Sequence, residues 1–374
     1  MSKRFFALIF ALILSLPLAA PAQLTGSNQP PAPGFIPGSL TTDQSSSYWE
    51  TPMDITDEAA VWAMLTAPIT VVEGHQKKQV QLYSQPDENS QPVGDITMDS
   101  QGLHILETRP DGWSYVEVYS SSFFDTKIKA WNELVQGYIR SNLLQTKQVD
   151  QKYGLVIDKL TQKLYIFENG KLYDTLAVST GLPNEKQPYN ETRSGEFLIV
   201  SPVGDFVSDN MVGEYALRFN SGDLIHQAPY IKRGDNKNYD ITEKYLGERA
   251  SHGCVRVQRK RTPKGTNMGW LWNTLRKKPH MGSTRVVIWE DLKGRQLPLP
   301  DTNLPLYYNT KGGKNYHIGE TCYGVRDKFL PMATFTYGQL NEGDYAKLTP
   351  CDYCFPPLRL SEIEAINAKY LLPN

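Results

Sequence analysis

The sequence predicts a mainly β protein of several units, with a β-sandwich at its centre. Three observations carry that prediction. Short apolar runs with two-residue alternation recur from residue 69 onward, bounded by turn residues. Gly and Pro, 28 and 25 residues, punctuate the chain. Helical signals are confined to short stretches at 57–65 and 270–275. At ~100–200 residues per domain, the 374 residues make two or three domains. Lys+Arg 39 against Asp+Glu 40 leaves a net charge of −1, so bulk electrostatics implies no nucleic-acid partner.

Residues 1–22 read as a secretory signal. Lys3 and Arg4 form its positive end, residues 5–18 its apolar run, and Ala20-Pro21-Ala22 a small-x-small cleavage site before Gln23. Those fourteen apolar residues fall short of the ~20 of a spanning helix, and no other run is long enough. After signal removal no spanning segment is expected, and the product is placed outside the cytoplasm, in the periplasm or the extracellular cell wall. Residues 23–68 read as a linker followed by a short helical segment. The first part, 23–47, holds four prolines and one charge, Asp43, and buries little. The second brings Trp49 and Trp62, expected to pack on the following domain.

Residues 69–146 form the first β unit. Val80-Gln81-Leu82-Tyr83 alternates, and Pro86-Asp87-Glu88-Asn89, Pro92-Val93-Gly94 and Asp111-Gly112-Trp113 turn. Residues 153–290 form the second, and several strands with turns every dozen residues fit a sandwich. Its one helix, at 270–275, has Asn267 as a cap, and Arg285-Val286-Val287-Ile288-Trp289 closes it as a strand. Residues 306–357 form a small third unit rich in Cys and His.

The chemistry concentrates in Ser251-His252-Gly253-Cys254-Val255-Arg256, with His226 upstream behind Leu224-Ile225. A thiol is mostly protonated at neutral pH, so a nucleophilic Cys254 needs an imidazole to take its proton. Gly253 lets the chain turn sharply and presents N–H groups at 253 and 254 to a tetrahedral oxyanion. The alternative, a structural cysteine beside a core histidine, is outweighed by the residues around it. His75, His104 and His280 have no partner at ligand spacing and read as surface or packing residues.

On these residues the chain resembles the L,D-transpeptidase family, the YkuD-type catalytic domain of bacterial cell-wall enzymes. The family pattern is His, a spacer, then Ser/Thr-His-Gly-Cys, an apolar residue and Arg or Asn. The resemblance runs over about residues 153–290: Tyr153-Gly154-Leu155-Val156-Ile157-Asp158 matches the first strand and Lys163-Leu164-Tyr165-Ile166-Phe167 the second, with a hairpin turn at Asn169-Gly170. Thr180-Gly181 and Ser194-Gly195-Glu196-Phe197 also match. Two departures stand out. The spacer between His226 and Ser251 is 24 residues, longer than usual, and implies an inserted loop over the site. Thr192-Arg193 stands where the family usually has Thr-Pro.

The resemblance implies peptidoglycan stem peptides as substrate. Cys254 would attack the diamino acid carbonyl of a tetrapeptide stem and release D-Ala, and His226 would shuttle the proton. An amine of a neighbouring stem would take the acyl group, giving a 3-3 cross-link. Arg256 would anchor a substrate carboxylate or serve a structural ion pair; Ser251 and His252 would hold the loop. No cofactor is needed for this chemistry. An L,D-carboxypeptidase using water, and a non-catalytic wall-binding scaffold, are the alternatives.

Residues 69–146 resemble a bacterial Src-homology-3-like barrel, in the order Leu-Tyr-x-x-Pro, Val-Gly-x-Ile, Asp-Gly-Trp-x-x-Val, Gly-Tyr-Ile. Tyr83 and Trp113 are there either core or exposed binding aromatics. In the tail, His317 and Cys322 are followed, 28 residues on, by Cys351-Asp352-Tyr353-Cys354. One imidazole and three thiols suit tetrahedral Zn2+ in a closed structural site, and the segment resembles a small Ada-like metal-binding module. A disulfide is the alternative in an exported protein, leaving one thiol unpaired.

Overall fold

The computed structural model describes residues 53–371 apart from 125–126, 209 and 292–293. The expected signal, most of the linker and Trp49 lie outside the described residues. Among the described residues no helix is long and apolar enough to cross a membrane. The described residues are mainly β, in three sheets.

The first helix, α1 (Glu58–Thr66), is capped by Asp57, whose side chain accepts from the Ala60 N–H at 3.1 Å. Its buried Val61, Met64 and Leu65 pack against Val156, Phe167, Val287 and Trp289. The helix therefore sits chiefly on the 153–290 unit rather than on the segment that follows it. Arg285, fully buried, donates to the carbonyls of Met64 and Pro68, the latter at 3.0 Å, and so satisfies acceptors left open at the helix end.

The first sheet comprises β1 (Ile69–Val72), β2 (Gln79–Tyr83), β3 (Pro92–Thr97), β4 (Gly102–Thr108), β5 (Trp113–Phe124), β6 (Lys127–Arg140) and β7 (Leu144–Lys147). The spatial order is β3-β2-β6-β5-β4-β1-β7. Val72, Leu82, Ile96, Leu103, Val116, Val118 and Ile139 form its core. Trp113 is buried, with the Arg140 guanidinium 4.2 Å from its ring and Tyr83 edge-on at 6.1 Å. It is a core residue, not an exposed platform.

The second sheet takes β8 (Tyr153–Asp158), β9 (Lys163–Glu168), β10 (Lys171–Ser179), β11 (Gly195–Leu198), β12 (Ser201–Ser208), β13 (Met211–Asn220) and β14 (Asp223–Gln227). It continues through β15 (Tyr230–Arg233), β16 (Asn236–Asn238), the short α2 (Asp240–Glu243), β17 (Val255–Val257), α3 (Met268–Leu275) and β18 (Arg285–Trp289). The strand path is β11-β18-β8-β9-β10-β17-β14-β13-β15-β16, with β12 paired to β13. Strand β8 is buried along its whole length, as an uninterrupted apolar run requires. The β9–β10 turn at Asn169-Gly170 has φ of 50° and 83°, the left-handed pair a two-residue hairpin needs. Asn267 caps α3, accepting from the Trp270 N–H at 2.9 Å, and Met268, Leu271 and Leu275 enter the core. The long spacer is ordered: β15 and β16 form a hairpin that extends the sheet beyond β13, and α2 follows.

The third sheet, β19 (Pro305–Tyr308), β20 (Asn315–His317), β21 (Ala333–Thr336) and β22 (Thr349–Pro350), is ordered β21-β19-β20-β22. Its small core is Leu306, Tyr316, Phe335, Tyr337, Leu340 and Leu348. A last helix, α4 (Leu360–Lys369), lies beyond the expected 306–357 unit, and Asn367 ties it to Leu297 through hydrogen bonds of 2.6 and 3.0 Å.

Candidate active site

Strands β14 and β17 run parallel, in the register Ile225 with Val255 and His226 with Arg256. That pairing brings the end of the His226 strand beside the loop carrying Cys254, across a spacer that holds the β15–β16 hairpin and α2. Cys254 is partly exposed; His226 is buried. The ring of His226 is held on two sides. Its Nδ1 lies 2.7 Å from the Gln227 carbonyl oxygen, and Phe206 meets it edge-on at 4.9 Å. A carbonyl only accepts, so Nδ1 carries the proton and Nε2 is left as the basic nitrogen. Gln227 is itself anchored, donating to Glu214 at 2.8 Å, and Glu214 also receives Tyr239 Oη at 2.7 Å and Lys237 Nζ at 2.5 Å.

The 251–254 loop is sewn down on several sides. The Ala250 and Ser251 N–H groups both donate to the Thr180 carbonyl at 2.9 Å, and Leu182 N–H donates to Ser251 O at 3.0 Å. Thr192 Oγ1 accepts from Gly181 N–H at 2.8 Å and donates to Gly253 O at 2.7 Å, so one buried hydroxyl joins the two loops. The Ser251 hydroxyl donates to the Cys254 carbonyl and takes a long 3.3 Å contact from the Gly253 N–H. His252 is exposed. Gly253 has φ of 113°, and a Cβ there would stand 2.7 Å from Asp223 Oδ1. Only glycine fits this turn, because both the backbone angle and the space exclude a side chain.

The electrostatics describe a neutral resting pair. Desolvation lowers the His226 imidazole to about 4, helped by the nearby Arg256 charge and opposed by the Gln227 hydrogen bond. Desolvation pushes the Cys254 thiol up to about 12, with the Asp223 charge adding to it; the Leu224 N–H and the Arg256 and Arg218 charges act the other way. Arg256 is buried and donates to the Ala250 carbonyl at 3.1 Å. No carboxylate among the described residues pairs with it, and its charge acts on the thiol and the imidazole.

The support beneath this loop escaped the sequence reading. Lys159 has no exposed side-chain surface and is held by Glu191 at 2.6 Å and Glu290 at 2.8 Å. Arg249, at the end of the long spacer, pairs with Glu191 and with Asp291, the latter at 2.7 Å. Removing one partner from such a buried network typically costs about 3–5 kcal/mol, because a charge is stranded. Arg193, the departure from the family pattern, is buried and donates to Ser121 Oγ at 3.0 Å, with Trp131 under its guanidinium at 4.9 Å. It therefore joins the segment around Thr192 to the first sheet. Two of the three isolated histidines stand beside carboxylates: His280 Nδ1 lies 2.6 Å from Asp150 Oδ2, and His104 Nε2 lies 3.6 Å from Glu196 Oε1.

In the third unit His317, Cys322, Cys351 and Cys354 converge, their ligand atoms all within 4.8 Å of one another. The Cys322 and Cys351 sulfurs are 3.8 Å apart, and Cys354 Sγ is 3.7 Å from His317 Nδ1. A tetrahedron with ~2.3 Å metal–sulfur bonds has sulfur–sulfur edges of about 3.8 Å. N–H groups of Gly324 and Tyr353 point at the Cys322 and Cys351 sulfurs from 3.3 and 3.4 Å, support that anionic thiolate ligands use. The donor set fits one zinc ion. A cavity of about 1000 Å³ lies between this unit and β9–β10, lined by Lys163, Tyr165, Tyr353 and Phe355, and includes none of the residues around Cys254.

The family match falls on the segment that carries His226 and the Cys254 loop. The family model of the YkuD L,D-transpeptidase catalytic domain matches residues 152–288. No curated protein matches the chain in sequence. Among solved structures, an L,D-transpeptidase from Mycobacterium smegmatis is 14% identical, covering 50% of this chain and 82% of its own, with a TM-score of 0.29. An L,D-transpeptidase from Mycobacterium tuberculosis H37Rv is 15% identical, covering 59% and 98%, with a TM-score of 0.28. The catalytic domain of an E. faecium L,D-transpeptidase is 18% identical, covering 37% and 98%, with a TM-score of 0.26. The family match, not these superpositions, carries the likeness: residues 152–288 match the model of the YkuD L,D-transpeptidase catalytic domain.

Proposed function

We propose that the protein is an exported, cysteine-dependent L,D-transpeptidase acting on tetrapeptide stems of peptidoglycan. The observation that carries this reading is the parallel register of β14 and β17, which sets His226 beside the family-matched Cys254 loop. Cys254 Sγ attacks the carbonyl carbon of the third, diamino acid residue, while His226 Nε2 takes its proton. The carbon–nitrogen bond to D-Ala breaks and the proton goes to the leaving amine. The Gly253 N–H, now on a long contact to Ser251, and the Cys254 N–H receive the oxyanion. Arg256 supports the developing thiolate by its charge. A side-chain amine of a second stem then attacks the thioester, forming a 3-3 cross-link. Residues 1–22 fit the export this substrate demands, and the first sheet, read as a Src-homology-3-like module, fits a wall-binding role.

Product analysis on purified disaccharide-tetrapeptides tests the assignment. Cross-linked dimer with equimolar D-Ala is expected. Free tripeptide alone would make the enzyme an L,D-carboxypeptidase, and unchanged substrate a scaffold.

We also propose that His317, Cys322, Cys351 and Cys354 hold one structural zinc. With four protein ligands the site is closed, and a unit with so thin a core gains stability from a metal. Elemental analysis of protein purified without chelator is expected to give about one zinc per chain. Chelation should speed proteolysis beyond residue 305 while acylation of Cys254 continues. A disulfide among the three cysteines, with no metal, would contradict the site.

A further inference from the structure

Asp223 opens β14 three residues before the proposed base, and its carboxylate lies directly beneath the nucleophile loop. A Cβ on Gly253 would be 2.7 Å from Asp223 Oδ1, so the carboxylate borders the residue next to Cys254. It is only partly exposed, and among the described residues its one side-chain hydrogen bond is from Asn220 Nδ2 to Oδ2 at 3.1 Å. Arg193 and Arg218 act on it electrostatically, but among the described residues no cationic side chain pairs with it. Nearby, Arg193 has a buried Nη1 with no hydrogen-bond partner among the described residues. This corner therefore holds a largely desolvated, incompletely matched carboxylate beside Gly253, the residue before the reacting cysteine.

Its placement is hard to explain as part of thiol activation. A negative charge next to a thiol disfavours the thiolate, and Asp223 does raise the Cys254 thiol. Desolvation also lifts Asp223 itself to about 6, which leaves it mostly ionised at neutral pH and costly to keep without a partner. A cation supplied by the substrate resolves both points. It would pair with the carboxylate and cancel its repulsion of the sulfur.

Building on the transpeptidase reading, we infer that Asp223 is the acceptor-recognition residue: its carboxylate holds the ammonium group of the incoming stem beside the Cys254 thioester. The ammonium gives one proton to His226 Nε2 and the freed nitrogen attacks the thioester carbonyl. The carbon–sulfur bond breaks, and the second nitrogen proton is lost as the amide forms. The products are the amide, the free Cys254 thiol and one proton released to solvent. Water, which carries no charge, gains nothing from Asp223, so the residue biases the acyl-enzyme toward transfer.

The test uses the full-length protein and Asp223→Asn. The acyl-enzyme formed from a tetrapeptide donor is offered a cationic diamino acid amine or hydroxylamine, which is neutral at pH 7.5. The ratio of transfer to hydrolysis should fall about tenfold with the cationic acceptor, the loss of one charge-assisted hydrogen bond. With hydroxylamine it should hold. In parallel, the pH profile of iodoacetamide alkylation at Cys254 should shift to lower pH in the variant, a readout that a purely structural role would not move. An unchanged ratio with the cationic acceptor, or an equal loss with both, overturns the inference. If the parent protein acylates no stem peptide, the transpeptidase reading fails by itself. The alkylation profile still decides the placement of Asp223, and an unshifted profile overturns it.

Discussion

Cys254→Ala is expected to abolish D-Ala release and covalent capture of a carbapenem together. The thiol is the one nucleophile at the loop, and no neighbour can replace it. Ser251 Oγ is committed to the Cys254 carbonyl and Gly253 N–H, and His252 points to solvent. Cys254→Ser should be nearly as poor. A hydroxyl is far harder to deprotonate than a thiol, and this site already pushes its thiol up to about 12. The alanine change adds no bulk at a partly exposed position, so far-UV circular dichroism and melting should match the parent. Wild-type turnover by the alanine variant would remove the proposed mechanism.

His226→Ala should slow acylation by ~10²–10⁴-fold, the span of a positioned acid–base group. The loss should fall on kcat more than on donor KM, because the ring moves a proton rather than binding the stem. Its pH dependence follows from the environment. Folding lowers this imidazole from its ordinary 6.5 to about 4, so the base is already neutral at mildly acidic pH. The acid limb of the acylation profile should therefore fall near 4 rather than near 6.5, and it should vanish in the alanine variant. The same shift sets the sign of the stability effect. The unfolded chain takes up a proton near 6.5 that the folded state refuses until about 4. Stability linked to His226 is thus full above 6.5 and lost as pH falls from 6.5 toward 4. A folded alanine variant with full activity would move the base role to His252.

Much of the central sheet was legible because its strands are written in continuous apolar runs. Tyr153–Asp158 and Arg285–Trp289 stand in the structure as the sequence places them, and Asn169-Gly170 turns as that pair must. Asn267 was legible as a cap because its short side chain offers an acceptor three residues ahead of an N–H. The motif itself was legible for the same local reason: Ser251, His252, Gly253 and Cys254 are adjacent. What local reasoning missed are partnerships made by the topology. His280 finds Asp150 across 130 residues, and Lys159 finds Glu191 and Glu290 from two other loops. Thr192, which joins Gly181 to Gly253, reads as an ordinary loop hydroxyl until β17 brings the loops together. Arg193 stood out only as a departure from a pattern; its role is visible once Ser121 and Trp131 lie around it. Helix α4 was passed over because its apolar stripe is thin, with Ile363 its one buried residue.

The central claim is that acyl transfer passes through the sulfur of Cys254. The measurement that tests it most directly is peptide-resolved mass spectrometry of enzyme quenched during turnover of a tetrapeptide donor. The account predicts a mass increase equal to the donor less D-Ala on the tryptic peptide 250–256, at Cys254, disappearing when an amine acceptor is added. Cross-linked product formed with no adduct on that peptide, or with the adduct on another residue, would contradict it.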